Sequence, residues 1–291
     1  MPKIQYESKN FRPAALELIR KANEIIKDYD AQGFSLTLRQ LYYQFVSRGW
    51  IPNTEKSYKN VGGVINDGRM AGLIDWNAIE DRTRTLRGRT HWDNPCQIVE
   101  ACVRSYLEDK WANQPQRIEV WVEKDALRGV IEGVCNELDV PYLACRGYVS
   151  QSEMWEAGWK RIKHKSTTIL YLGDHDPSGI DMTRDVQSRL SIFSNSDVEV
   201  KRLALNMDQV EQYNPPPNPA KVTDSRANDY ISKFGEDSWE LDALEPNAIV
   251  QLIRDAVLGI RDEDLWQESV DEEQENLNKL KNAADTLKGE L

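Results

Sequence analysis

Two stretches of the chain carry the same order: an apolar β pattern, then acid, then the start of a helix. In Arg117-Ile-Glu-Val-Trp-Val-Glu-Lys-Asp-Ala-Leu127, residues Ile118, Val120 and Val122 alternate with Glu119, Trp121 and Glu123. That period of two predicts a strand, and the spacing of Leu127, Val130, Ile131 and Val134 predicts a helix directly after it. Thr168-Ile-Leu-Tyr-Leu-Gly-Asp-His-Asp-Pro-Ser-Gly179 repeats the plan, with an apolar run that stops at Asp174 and Asp176. Asp176 is placed to cap a helix whose first residue is Pro177. Strands followed by helices imply a parallel sheet, and ligands sit at the carboxyl ends of such strands. Glu123, Asp174 and Asp176 are therefore expected to converge.

Three carboxylates at one point repel each other unless a hard cation neutralises them, and oxygen ligands of this kind suit Mg2+. Mg2+ takes one or two protein carboxylates and fills its other positions with water or phosphate oxygens. The residues thus suggest a magnesium site that handles phosphate. Asp-x-Asp alone is a weak signal, shared with glycosyltransferases and aspartyl-phosphate phosphatases. The plainer reading makes these acids helix caps on a structural sheet.

Val122-Glu-Lys-Asp-Ala126 and Leu172-Gly-Asp-His-Asp-Pro-Ser-Gly179 resemble the two signature motifs of a Toprim domain. Between them, Cys145-Arg-Gly-Tyr-Val149 resembles a segment of one Toprim branch, that of the topoisomerase VI A subunit and the meiotic double-strand-break transesterase. The resemblance implies Mg2+ held by Glu123, Asp174 and Asp176, and cleavage or joining of nucleic-acid phosphodiesters. It disfavours the phosphatase reading, since Ser178 stands where that family usually has Thr.

Upstream, three helices are expected: residues 11–29, a second from Thr37 to Arg48 that stops at Gly49, and a third over roughly 55–71. On the first, Leu16, Ile19, Ala22 and Ile26 share a face. Residues 72–76 and 79–84 read as short strands, so three helices and a β-hairpin suggest a winged helix. Arg82, Arg84, Arg87 and Arg89 then form a phosphate-contacting run, or else a solvated loop. Leu38-Arg-Gln-Leu-Tyr-Tyr-Gln-Phe45 resembles the tyrosine motif of the same family, which implies that Tyr43 is the nucleophile. A phenol with a pKa of about 10 needs help to attack phosphorus. Arg39, one turn before Tyr43, is placed to provide it. Without the motifs downstream, packing in a helical core would account for both tyrosines, and it remains the reading for Tyr42.

The chain has 291 residues, enough for one large or two medium domains. No apolar run approaches a membrane span, and the N-terminus lacks a signal-peptide core. Cys96, Cys102, Cys135 and Cys145 form no paired motif and read as reduced core residues of a cytoplasmic protein. The net charge of −11 is uneven: residues 236–291 hold 5 basic and 16 acidic side chains, a net of −11, so the remainder sums to zero. A local basic surface suffices for phosphate contacts.

The expected organisation is mixed α/β. Residues 1–92 form a winged-helix domain bearing the tyrosine, 93–115 a connecting helix, and 116–291 a Toprim domain with a central parallel sheet and a helical C-terminal extension. Trp155 and Trp159 are expected in the core. Residues 213–221 form a proline-rich loop, and the acids of Trp239-Glu-Leu-Asp-Ala-Leu244 are read as structural. Asp125 is expected to cap the helix after Lys124, and Lys124 and Arg146 to contact DNA. The resemblance runs from about residue 36 to 245 and is strongest to the stand-alone, A-subunit-only relatives. It implies a homodimer on double-stranded DNA in which one protomer's tyrosine meets the other's metal, a nucleoid-associated location, and a separate ATPase subunit as a further partner. A hydrolytic Toprim nuclease and a non-catalytic DNA-binding module are the competing expectations.

Overall fold

The computed structural model describes residues 3–80, 91–194, 197–220 and 224–290. Its centre is a four-stranded, wholly parallel sheet of β1 (Arg117–Val122), β2 (Tyr142–Ala144), β3 (Thr167–Leu172) and β4 (Val198–Ala204), in the order β2-β1-β3-β4. Helices cover both faces, as an all-parallel sheet requires. On one face Val120, Val122, Leu170 and Leu172 pack with Ile131 and Val134 of α5 (Arg128–Glu137) and with Ile249 and Ile253 of α10 (Pro246–Leu258). On the other, Trp121, Ile169 and Tyr171 meet Met154 of α6 (Gln151–Glu156) and Met182, Val186 and Leu190 of α7 (Pro177–Ser194). The mixed α/β class and the central parallel sheet follow the sequence reading.

A separate apolar core gathers α1 (Pro13–Asp30), α2 (Leu38–Ser47) and α3 (Glu55–Met70). Gly33 and Gly49, both at positive φ, end the turns after α1 and α2. Ile19, Ala22, Ile25, Ile26 and Tyr29 form the buried stripe of α1, whereas Leu16 is exposed. The expected β-hairpin is absent among the described residues. Residues 72–76 form no strand, because their backbone groups are used otherwise: the N–H groups of Leu73 and Ile74 donate to the Gly68 carbonyl at 2.8 and 3.3 Å, and Asp75 accepts from the Asn77 N–H at 2.8 Å. Only single bridges remain, Gln5 with Ala71 and Leu36 with Ile79. Residues 81–84 of the second expected strand lie outside the described residues. Arg82, Arg84, Arg87 and Arg89 lie outside the described residues.

Other departures have local causes. The connecting helix, α4, covers only Pro95–Ser105. Beyond it the N–H groups of Glu108, Lys110 and Trp111 go to the carboxylates of Glu273, Asp139 and Asp109 instead of continuing a helix. Trp155 and Trp159 are not in the core; they stand 45% and 47% exposed, and their rings run parallel 6.5 Å apart. Among the cysteines only Cys135 is buried, and Cys102 is exposed. The C-terminal helix α11 (Glu263–Glu290) lies against α4 of its own chain and ties to the connecting segment through Glu273 and Lys110 at 2.7 Å. No helix among the described residues is long and apolar enough to cross a membrane.

Candidate functional site

Parallel pairing brings the acids together. Val122 of β1 lies opposite Leu172 of β3, so Glu123 and Gly173 leave the sheet side by side. The Glu123 carboxylate then accepts the Asp174 N–H at 3.0 Å. Space is tight here: a Cβ on Gly173 would stand 2.8 Å from Glu123 Oε2, and one on Gly179 only 2.2 Å from the Asp174 carbonyl oxygen. Asp176 caps α7 as expected, accepting from the Gly179 N–H at 2.6 Å and the Ser178 hydroxyl at 2.9 Å. His175 turns away into an aromatic nest of Tyr230, Phe234 and Trp239, with Nδ1 2.7 Å from the Tyr230 hydroxyl.

The backbones of His175 and Trp239 exchange two hydrogen bonds, 2.8 and 2.9 Å, which stitches residues 239–242 onto the Asp174–Asp176 turn. Asp174 Oδ1 accepts the Leu241 N–H at 2.8 Å. As a result Glu240 and Asp242, read from sequence as structural, stand at the site itself. Lys124 Nζ sits among three carboxylates, 2.7 Å from Asp174, 2.9 Å from Glu240 and 3.8 Å from Asp242. Arg39, on α2, reaches the same pair of acids: 2.8 Å to Glu240 and 3.6 Å to Asp242. Its guanidinium also lies 5.9 Å from the centre of the Tyr43 ring. Glu240 stands close enough to the Tyr43 phenol to act on its charge. Tyr42 points elsewhere, donating to Asn53 Oδ1 at 3.0 Å within the helical core.

A further residue escaped the sequence reading. Arg202 of β4 is half-buried and donates to the carbonyls of Asp174 (2.6 Å), Gly179 (2.9 Å), Gly173 (3.0 Å) and Leu205 (3.2 Å), and to the Thr183 hydroxyl at 2.8 Å. It holds the acidic turn from beneath. No pattern in β4 marks it, because one Arg in an alternating strand reads as a solvent-facing position.

Burial sets the electrostatics. It raises the Glu123 carboxyl to about 7, with Asp174 adding to the effect. Asp174 and Asp242 are also raised by burial, against the pull of Lys124. Burial acts the same way on Glu240, but Lys124, Arg39 and the Tyr43 hydroxyl outweigh it and bring that carboxyl down to about 2. The Tyr43 phenol is pushed up by burial and by Glu240, and Arg39 offsets this only in part. Arg39 spends its charge on the acids rather than on a phenolate.

Arg39, Tyr43, Asp174, Asp176 and Glu240 line one cleft of about 370 Å³, with Glu123 and Lys124 behind it. Arg146 is elsewhere. It is exposed, has φ of 57°, and pairs with Asp125 at 3.2 Å, so Asp125 is an ion-pair partner and makes no side-chain cap. Among the described residues no three His, Cys, Asp or Glu side chains are grouped as a ready-made metal cage. Mg2+ does not need one: one or two carboxylates facing a wet cleft suffice, and Asp174 and Asp176 both line this one. No family model matches the chain, and no curated protein matches it.

Proposed function

We propose that this cleft is the site of Mg2+-dependent DNA cleavage in which Tyr43 is the nucleophile. One observation carries the reading: a tyrosine and an arginine from the helical unit share a single cleft with buried acids at the carboxyl ends of parallel strands. The resemblance of the tyrosine and acid motifs to the topoisomerase VI A branch supports it, and so does their order along the chain.

Asp174 and Asp176 would hold the ion, with Glu123 behind them. When bound, Mg2+ neutralises charge on the scissile phosphate. The phenolic oxygen of Tyr43 bonds to phosphorus, the bond from phosphorus to one deoxyribose oxygen breaks, and that sugar leaves as a hydroxyl carrying the phenol's proton. The phosphotyrosyl link keeps the bond energy, so the reverse reaction reseals the strand. Arg39 lines the cleft and would place its charge toward the phosphate oxygens. Two copies acting on opposite strands would give a double-strand break.

Water as the nucleophile is the second reading. The observation that favours it is the burial of Tyr43, whose side chain is only 5% exposed and whose phenol is raised. Supercoiled plasmid incubated with Mg2+ and quenched in detergent separates the two. Linear DNA that stays protein-bound until proteolysis, formed by the wild type and lost in Tyr43→Phe, supports transesterification. Equal cutting by both proteins, with free ends, supports hydrolysis.

A further inference from the structure

Asp242 is the most unusual group at the cleft. Its side chain is fully buried, and among the described residues neither carboxylate oxygen accepts a hydrogen bond. Buried carboxylates left in this state are costly and call for an explanation. Its ion-pair neighbours are Arg39 Nε at 3.6 Å and Lys124 Nζ at 3.8 Å, both too far for a hydrogen bond. Lys124 meanwhile is bonded to Asp174, a residue placed to hold a cation. The charges do not balance either. Five acids (Glu123, Asp174, Asp176, Glu240, Asp242) face three bases (Arg39, Lys124, Arg202), which leaves two negative charges when all are ionised.

We propose that Lys124 is a resident counter-cation with two seats: it rests on Asp174 while the cleft is metal-free, and moves onto Asp242 when a divalent cation takes Asp174. This rests on the reading of the cleft as a divalent-metal site. An ammonium and a divalent ion repel strongly at one carboxylate oxygen, so one must leave. A shift of about 1 Å brings Lys124 from its present 3.8 Å into hydrogen-bond range of Asp242. Lys124 and Arg39 both pair with Glu240, whose charge acts on the Tyr43 phenol, so that shift changes the charge setting of the nucleophile as the ion arrives. Lys124 is thus a positioning residue linking the metal seat to Tyr43.

Calorimetric titration of the full chain with Mg2+ and with Mn2+, without DNA, tests this. Lys124→Gln removes the competitor and should tighten binding by about tenfold or more, while Lys124→Arg should stay near the wild type. Asp242→Asn removes the second seat, so it should weaken binding in the wild type and have little effect in the Lys124→Gln background. Thermal unfolding in metal-free buffer checks that each variant folds. If Lys124→Gln does not fold, Asp242→Asn alone decides, because unchanged or tighter binding overturns the proposal. Equal or weaker binding by folded Lys124→Gln overturns it too. If no protein binds either ion, the proposal and the metal reading fall together. Tighter binding by Lys124→Gln, with a wild type that binds the ion but leaves DNA uncut, would sustain the proposal and sink only the nuclease reading.

Discussion

Individual charges decide how this site responds to pH. The folded state holds Glu123 raised from 4.5 to about 7, so its contribution to stability is present below about 4.5 and is lost as the pH climbs to about 7. Glu240 runs the other way: lowered from 4.5 to about 2, it stabilises above about 4.5 and loses that contribution as the pH falls toward about 2. The metal-free protein should therefore be less stable at neutral than at mildly acidic pH. Glu123→Gln should flatten that decline, worth on the order of 1 to 3 kcal/mol, in urea melts across this range. A sloping profile in the variant equal to that of the wild type would refute the assignment. Arg202 is the other residue to test. Arg202→Met strands the carbonyls of Gly173, Asp174 and Gly179 and removes a cation from beneath the acids. A loss of about 2 to 4 kcal/mol in denaturant unfolding is expected; a loss below about 1 kcal/mol would mean that the turn holds itself.

At the scale of elements, the strands and their acids were legible because the chemistry is local. Alternation in 117–122 and the apolar run before Asp174 announce two strands, and parallel pairing does the rest. Thr37 caps α2 in a reciprocal box with Gln40, a pattern readable in the sequence. The first strand of the expected hairpin was misread because residues 72–76 fold as a cap on α3, a tertiary choice that a short apolar segment does not encode; residues 81–84 of the second lie outside the described residues. Trp155 and Trp159 were misplaced for a similar reason: helical spacing predicts one shared face, not which way that face points. Glu240 and Asp242 were read as structural because nothing local shows that a backbone bridge to His175 carries them in from more than sixty positions away. That segment also docks α2 on the sheet, through Arg39 and Tyr43. Glu240→Gln should loosen this docking and, by removing the charge that raises the phenol, make Tyr43 titrate at lower pH in ultraviolet difference spectra. An unchanged Tyr43 titration would show that Glu240 does not govern it.

Across the whole molecule, two apolar cores meet at the cleft. Tyr43 belongs to the helical core, the acids belong to the sheet, and Ala243, just beyond Asp242, packs into the helical core. Any motion between the two units therefore changes the distance from the Tyr43 hydroxyl to the acids. The acid-rich α11 lies along the connecting segment of the same chain, and residues 236–291, which include it, carry a net charge of −11, equal to that of the whole chain. Transesterification by Tyr43 is the central claim, and locating the covalent link tests it most directly. Wild-type protein trapped on DNA with Mg2+, digested with nuclease and then protease, should yield a peptide spanning Tyr43 that carries a nucleotide on that residue by mass spectrometry. Cleaved DNA alongside an unmodified Tyr43 peptide, or a nucleotide on another side chain, would contradict the account.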